Sequence, residues 1–136
     1  MKLKSDHGNV LVEFICVAIF LLIPISQIAI SVSNFAQKYL VIESTANAAT
    51  RAFVVQGDDQ RAQKIAAQLV RDNFRSQHID GKVIRLKISC SSRPCLTAGN
   101  FVTVSLTGNI RIEVPILGSF RAPVQVSHTL EVDEQR

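Results

Sequence analysis

From Phe14 to Gln37 the chain carries no charged side chain, and from Val10 to Phe35 most residues are Val, Ile, Leu, Phe or Ala. No other feature constrains the fold as tightly, because such a run cannot lie unshielded on the surface of a soluble domain. As a helix, Phe14 to Gln37 would be about 36 Å long, enough to cross a hydrocarbon core of about 30 Å. Lys2 and Lys4 precede it, so the positive-inside bias expects the N-terminus in the cytoplasm and the remainder outside. Lys38 and Arg51 pull weakly the other way and are offset by Glu43. A cleavable secretory signal is the competing reading, with a small-x-small site at Ala29-Ile30-Ser31. The run is longer than the roughly 7–15 apolar residues of such a signal. A lipoprotein signal fails, because Phe14 and Ile15 stand where small residues should precede Cys16.

With that run set aside, roughly 100 residues remain, enough for one modest core and marginal for an enzyme with a deep cleft. A multidomain protein, a disordered tail and a cytosolic enzyme are therefore disfavoured. The formal net charge of +4 and pI near 9.3 permit nucleic-acid binding, but the basic residues are scattered among acids and polar residues. With one Tyr and no Trp there is neither a stacking platform nor a phosphate track, so no nucleic-acid partner is expected.

Glu13 is the informative oddity. A carboxylate at the edge of an apolar run costs about 1–3 kcal/mol away from the bilayer centre. The plain explanation is a side chain that snorkels to the cytoplasmic headgroups. Its surroundings favour another. The chain starts Met-Lys-Leu-Lys-Ser-Asp-His-Gly8, continues Asn9-Val-Leu-Val-Glu13-Phe14, and then enters the apolar helix.

This arrangement resembles a type IV prepilin, in which a short basic leader ends in Gly and a membrane-embedded aspartyl prepilin peptidase cuts after it. Gly8 matches the cleavage position and Asn9 the first mature residue, which makes Glu13 and Phe14 mature residues five and six. Gly, four residues, then Glu-Phe is similar to the signature of the Tad (tight-adherence, Flp, type IVc) branch. The resemblance covers residues 1 to about 35. Asn9 departs from it, being polar where an apolar or small residue is common. Pro24 departs too, because it lacks an N–H for the Phe20 carbonyl and should kink the helix.

Beyond the apolar run, Phe35, Tyr39, Ile42, Ala46, Ala49 and Phe53 form a stripe at helical spacing, predicting one helix from about Asn9 to Gln56. The half of that stripe from Ala46 to Phe53 suits packing on the protein's own sheet at least as well as docking a partner. Gly57 is expected to stop the helix, and Asp58 or Asp59 to cap a second. That second helix, to about Gln77, would bury Ala62, Ile65, Ala66, Leu69, Val70 and Phe74, with Gly81 breaking it.

The remainder alternates with period two. Four sets of apolar residues predict four half-buried strands: Ile84 to Cys90, Val102 to Leu106, Ile110 to Ile116, and Val124 to Val132. Gly108-Asn109 and Gly118-Ser119 offer turn chemistry. The expected fold is α+β, with a long transmembrane helix continuing into a small domain whose second helix covers a four-stranded antiparallel sheet. Residues 1–8 would be the leader, 9–37 the membrane helix and 38–136 an extracytoplasmic pilin-like domain. Such a domain is too large for the major Tad pilin and too short for the biggest family members, so the chain resembles a TadE/TadF-type minor pseudopilin. Thr50-Arg51-Ala52 and the Val114-Pro115 to Val124 region add soft likeness.

No nucleophile-elbow, zinc-protease or phosphate-loop motif is present, so no catalysis and no cofactor are expected. His7, His78 and His128 are isolated, and Cys16 reads as a small apolar residue in the membrane. Cys90 and Cys95 enclose Ser91-Ser-Arg-Pro94 at a strand end. A disulfide suits a turn in an oxidising compartment; a zinc pair with His and free thiols are the alternatives. The resemblance implies a structural subunit of the bacterial inner membrane with a periplasmic domain, acting in pilus assembly, adhesion or secretion. Its partners would be the prepilin peptidase, other pilins and pseudopilins, and the Tad assembly machinery. The alternatives are a membrane-anchored or secreted binding domain, or a pseudopilin of a type II secretion system.

Overall fold

The computed structural model describes residues 7–115 and 117–133. The leader residues before His7, with Lys2 and Lys4, lie outside the described residues, as does Ile116. Helix α1 runs from His7 to Val54 without a break at Pro24, and helix α2 from Asp59 to Ser76. Strands β1 (Ile84–Cys90), β2 (Phe101–Val114) and β3 (Gly118–Glu131) form one antiparallel sheet in the order β1-β2-β3.

Burial divides α1 sharply. No residue from Val10 to Ile30 is buried, whereas Ser31 is, and from Ile42 onward the apolar stripe is sealed. Ile42, Ala46, Ala49 and Phe53 have no exposed surface. They pack against α2 and the even-numbered residues of β2 and β3, including Val102, Val104, Leu106, Val124 and Val126. The Ala46–Phe53 half of the stripe thus belongs to the protein's own core. Phe53 and Phe74 are its largest sealed side chains, each worth about 2–3 kcal/mol by the apolar area removed from water. Toward the apolar run the seal weakens: Phe35 is half-buried and Tyr39 exposed, their rings 6.5 Å apart.

Helix α2 begins where expected. Asp58 holds extended backbone and its carboxylate accepts a hydrogen bond from the Arg61 N–H at 2.9 Å, satisfying one of the orphan donors of the first turn. Ala62, Ala66, Val70 and Phe74 are buried on one face, while Ile65 and Leu69 are half-buried. Helix α2 ends at Ser76 with Gln77 as its cap, close to the expected end, but Gly81 is not what closes it. His78 adopts φ 55°, the Ile79 N–H donates to the Phe74 carbonyl at 2.9 Å, and the His78 N–H donates to the Arg75 carbonyl at 3.3 Å. This is a Schellman closure with histidine in the left-handed position usually held by glycine, and Ile79 folds back onto the core.

The sheet has three strands among the described residues, not four. Gly108-Asn109 does not turn; it lies inside β2, which pairs with β3 continuously from Phe101↔Glu131 to Val114↔Gly118. The even-numbered face runs unbroken through Val102, Val104, Leu106, Ile110, Ile112 and Val114, so no reversal is needed to keep apolar residues inward. Glycine stands at 108 for another reason. Opposite Ile84, a Cβ there would meet the Val83 carbonyl oxygen and lie 2.9 Å from the Ile84 Cα. The chain reverses instead between Val114 and Gly118, which pair with each other, and Gly118 carries φ 93°.

Because β1 ends its pairing at Gly108, residues 109–114 of β2 overhang it. That overhang lies beside α1, where the Ser31 hydroxyl reaches the Glu113 carbonyl oxygen at 3.0 Å and the Gln27 carbonyl oxygen at 2.9 Å.

Candidate functional site

The amino-terminal half of α1 holds the residues on which the prepilin resemblance rests. Gly8 and Asn9 fall in its first turns. Glu13 is exposed, and Phe14 keeps 72% of its surface free. Residues 9 and 13 are one turn apart, so an amine at Asn9 and the Glu13 carboxylate would lie along the same face of the helix. Around Glu13, the apolar residues Val10, Leu11, Val12, Phe14, Ile15 and Val17 are all exposed.

This half of α1 is long and apolar enough to cross a membrane. Pro24 leaves the Phe20 carbonyl without its helical donor, and beside it Cys16, Ile19, Phe20 and Ile23 line an apolar notch. Cys16 is exposed on this surface and is not bonded to another cysteine. The Ser26 hydroxyl folds back onto the Ile23 carbonyl at 2.8 Å, so it presents no free donor to an apolar medium.

At the far end of the domain, Cys90 and Cys95 are joined in a disulfide. It ties the end of β1 to the loop that leads into β2. Closing so short a loop restricts the unfolded chain by about 2 kcal/mol in the entropic account. Asp59, on the first turn of α2, accepts hydrogen bonds from the Cys95 N–H at 2.9 Å and the Leu96 N–H at 3.2 Å. Asn100 braces the same loop, donating to the Pro94 carbonyl at 2.9 Å and accepting from the Ser92 hydroxyl at 2.6 Å. The peptide bond before Pro94 is cis. Among the described residues no group of three His, Cys, Asp or Glu stands together to hold a metal ion.

The structure keeps these two sets of residues apart. Glu13 and Phe14 stand on the uncovered half of α1, whereas the disulfide belongs to the domain core, with Cys95 buried in it and Cys90 packed against it. His128 lies half-buried on the sheet, its carbonyl oxygen 3.4 Å from the Thr50 hydroxyl. Three features escape the sequence pattern: Asp59 as a brace, Ser31 as the contact between α1 and β2, and the facing pair Arg111 and Arg121. Each depends on a partner distant in the chain, and the only local signal is the odd-numbered placement of both arginines on their strands.

Comparison with protein-family models, with curated proteins and with solved structures found no match to the chain.

Proposed function

We propose that the chain is a minor pseudopilin of a Tad-type pilus, a non-enzymatic subunit that is cut after Gly8, held in the inner membrane by α1 and passed from there into a fibre. One observation carries the reading: Gly8, Glu13 and Phe14 stand in prepilin register at the head of a helix that is uncovered from Val10 to Ile30 and then becomes the core of an α+β domain. An apolar helix surface of that length must be covered by lipid or by other helices. A pilin uses both covers in turn, lipid before assembly and neighbouring subunits after it. The disulfide supports a periplasmic position for the domain, because such bonds persist in oxidising compartments. On this reading the N-terminus faces the cytoplasm. The partners are the prepilin peptidase, other pilin and pseudopilin subunits and the assembly machinery of the inner membrane.

The test is N-terminal sequencing of the protein produced with its cognate peptidase. A mature chain beginning Asn9-Val-Leu-Val-Glu13 is expected, and Gly8→Val, which places a branched side chain at the scissile bond, should leave the precursor intact. A mature protein beginning at Val32 would assign an ordinary secretory signal instead. A full-length product would leave a membrane-anchored binding domain.

A further inference from the structure

The β2–β3 hairpin lies alongside α1 and points back toward its apolar half. Two contacts fix this. The Thr50 hydroxyl is 3.4 Å from the His128 carbonyl oxygen, and His128 pairs with Val104; the Ser31 hydroxyl is 3.0 Å from the Glu113 carbonyl oxygen. From Thr50 back to Ser31 the helix descends about 28 Å. From Val104 to Glu113 the strand covers about 30 Å. The two lengths agree, so β2 descends along α1, antiparallel to it.

The last pair of the hairpin, Val114 with Gly118, and the flanking Pro115 and Leu117 extend it beyond Glu113. It therefore reaches about 5–8 Å below Ser31, to the level of the uncharged run. Its composition matches that depth. Val114 to Phe120 contains no charged residue, and Leu117 and Phe120 keep 60% and 52% of their surface exposed.

Just above the tip the chemistry changes. Arg111 and Arg121 face each other across β2 and β3, a like-charge pairing that costs stability when nothing offsets it. With Lys38, the first charge after the apolar run, and His78, they line one cavity of about 400 Å³. Asp80 is the acid lining it, and its carboxylate is engaged by the Lys82 N–H at 3.1 Å. Glu113 borders the adjoining cavity, beside Arg111 and Lys38. Among the described residues no ion pair neutralises Lys38, Arg111 or Arg121.

We propose that this hairpin is a second membrane-contacting element. Its tip enters the interface of the leaflet on the domain's side, and Lys38, Arg111 and Arg121 hold the phosphates of anionic phospholipids around it. Above the apolar wedge the exposed Glu113 carboxylate comes first. Lys38, Arg111 and Arg121 beyond it outnumber the Glu113 and Asp80 carboxylates, level with the end of a membrane helix, as that interface requires. The inference rests on the reading of α1 as a membrane span.

The test uses the full chain with Cys16→Ser and its Cys90–Cys95 disulfide intact, reconstituted into vesicles. An environment-sensitive nitrobenzoxadiazole label is attached at Leu117→Cys, Ile19→Cys or Thr107→Cys, and quenched by lipids carrying a shallow doxyl group. Strong quenching is expected at 19 and at 117, the latter at least about half as large because the tip is interfacial. None is expected at 107, higher on the same strand. Quenching at 117 should be greater in an equal mixture of phosphatidylcholine and phosphatidylglycerol than in phosphatidylcholine alone, and Arg111→Gln/Arg121→Gln should abolish that gain. Quenching at 19 without quenching at 117 overturns the proposal and leaves the span standing. Quenching at neither overturns both. A blue-shifted but unquenched label at 117, lost on dilution into excess lipid, would assign the tip to a second copy of the chain. Equal quenching in both vesicle types would remove the phosphate-binding role of the arginines.

Discussion

The carboxylate of Asp59 accepts a hydrogen bond from the backbone N–H of Cys95 at 2.9 Å, joining the first turn of α2 to the disulfide loop. A second bond, from the Leu96 N–H at 3.2 Å, makes the carboxylate a two-pronged brace. Its position in the first turn also sets it against the positive end of the helix dipole.

Asp59→Ala should therefore destabilise the domain by about 2 kcal/mol, the loss expected for partly buried charge-assisted bonds. Asp59→Asn, which keeps one acceptor oxygen, should lose less. Thermal unfolding of the full chain in detergent, followed by near-ultraviolet circular dichroism, measures both. Equal stability of Asp59→Ala and the parent would mean the brace contributes nothing.

Gly108→Ala tests why glycine stands inside β2. The added methyl group would press on the Val83 carbonyl oxygen and the Ile84 backbone, neither of which is a flexible side-chain end. A loss of about 2–3 kcal/mol is expected from such overpacking. The same substitution at Gly57, where a Cβ would meet nothing within 4 Å, should leave stability nearly unchanged. If the two variants melt alike, the close approach of β1 to Gly108 is not a constraint.

His78→Gly should act in the opposite direction. His78 closes α2 at φ 55°, a conformation that costs a residue with a Cβ about 1 kcal/mol and glycine little. A gain of up to about 1 kcal/mol is expected, less what glycine gives to the unfolded chain. A rise in melting temperature of a few degrees would record it, and a fall would show that the imidazole makes a stabilising contact.

Glu13→Gln separates an assembly role from simple snorkelling. Cleavage after Gly8 would leave an α-amino group on Asn9, cationic near neutral pH, one turn from Glu13. A carboxylate in a low-dielectric fibre is costly without such a partner, and the amine of a neighbouring subunit would set axial register. The variant should insert and be cut normally yet enter fibres poorly. Normal pilus assembly and surface attachment by Glu13→Gln would remove the assembly role.

Much of the helical architecture is legible in the sequence. The stripe from Phe35 to Phe53 predicts the continuation of α1, and Asp58 the start of α2, because helix periodicity and capping act over a few residues. Two glycines mislead. Gly108 suggests a turn and Gly81 a helix end, yet neither serves as one, since glycine permits a reversal without requiring it. The unbroken even-numbered face from Val102 to Val114 holds the better signal, but it outweighs a Gly-Asn dipeptide only once the strand has a partner to pair with.

Local chemistry alone dictates that one helix carries an uncharged run long enough for a membrane, that Gly8, Glu13 and Phe14 head it, and that Cys90 and Cys95 lie within reach of each other. These three depend on hydropathy, spacing and a loop too short for its ends to separate far. The overhang of β2 beyond β1, the meeting of Ser31 with Glu113, and the facing of Arg111 and Arg121 above an apolar tip arise only in the packed fold. Those relationships follow from strand register. A shift of one residue would turn each side chain to the opposite face of the sheet, and that choice belongs to the packing of α1 and α2 over the even-numbered face, not to any short stretch of chain.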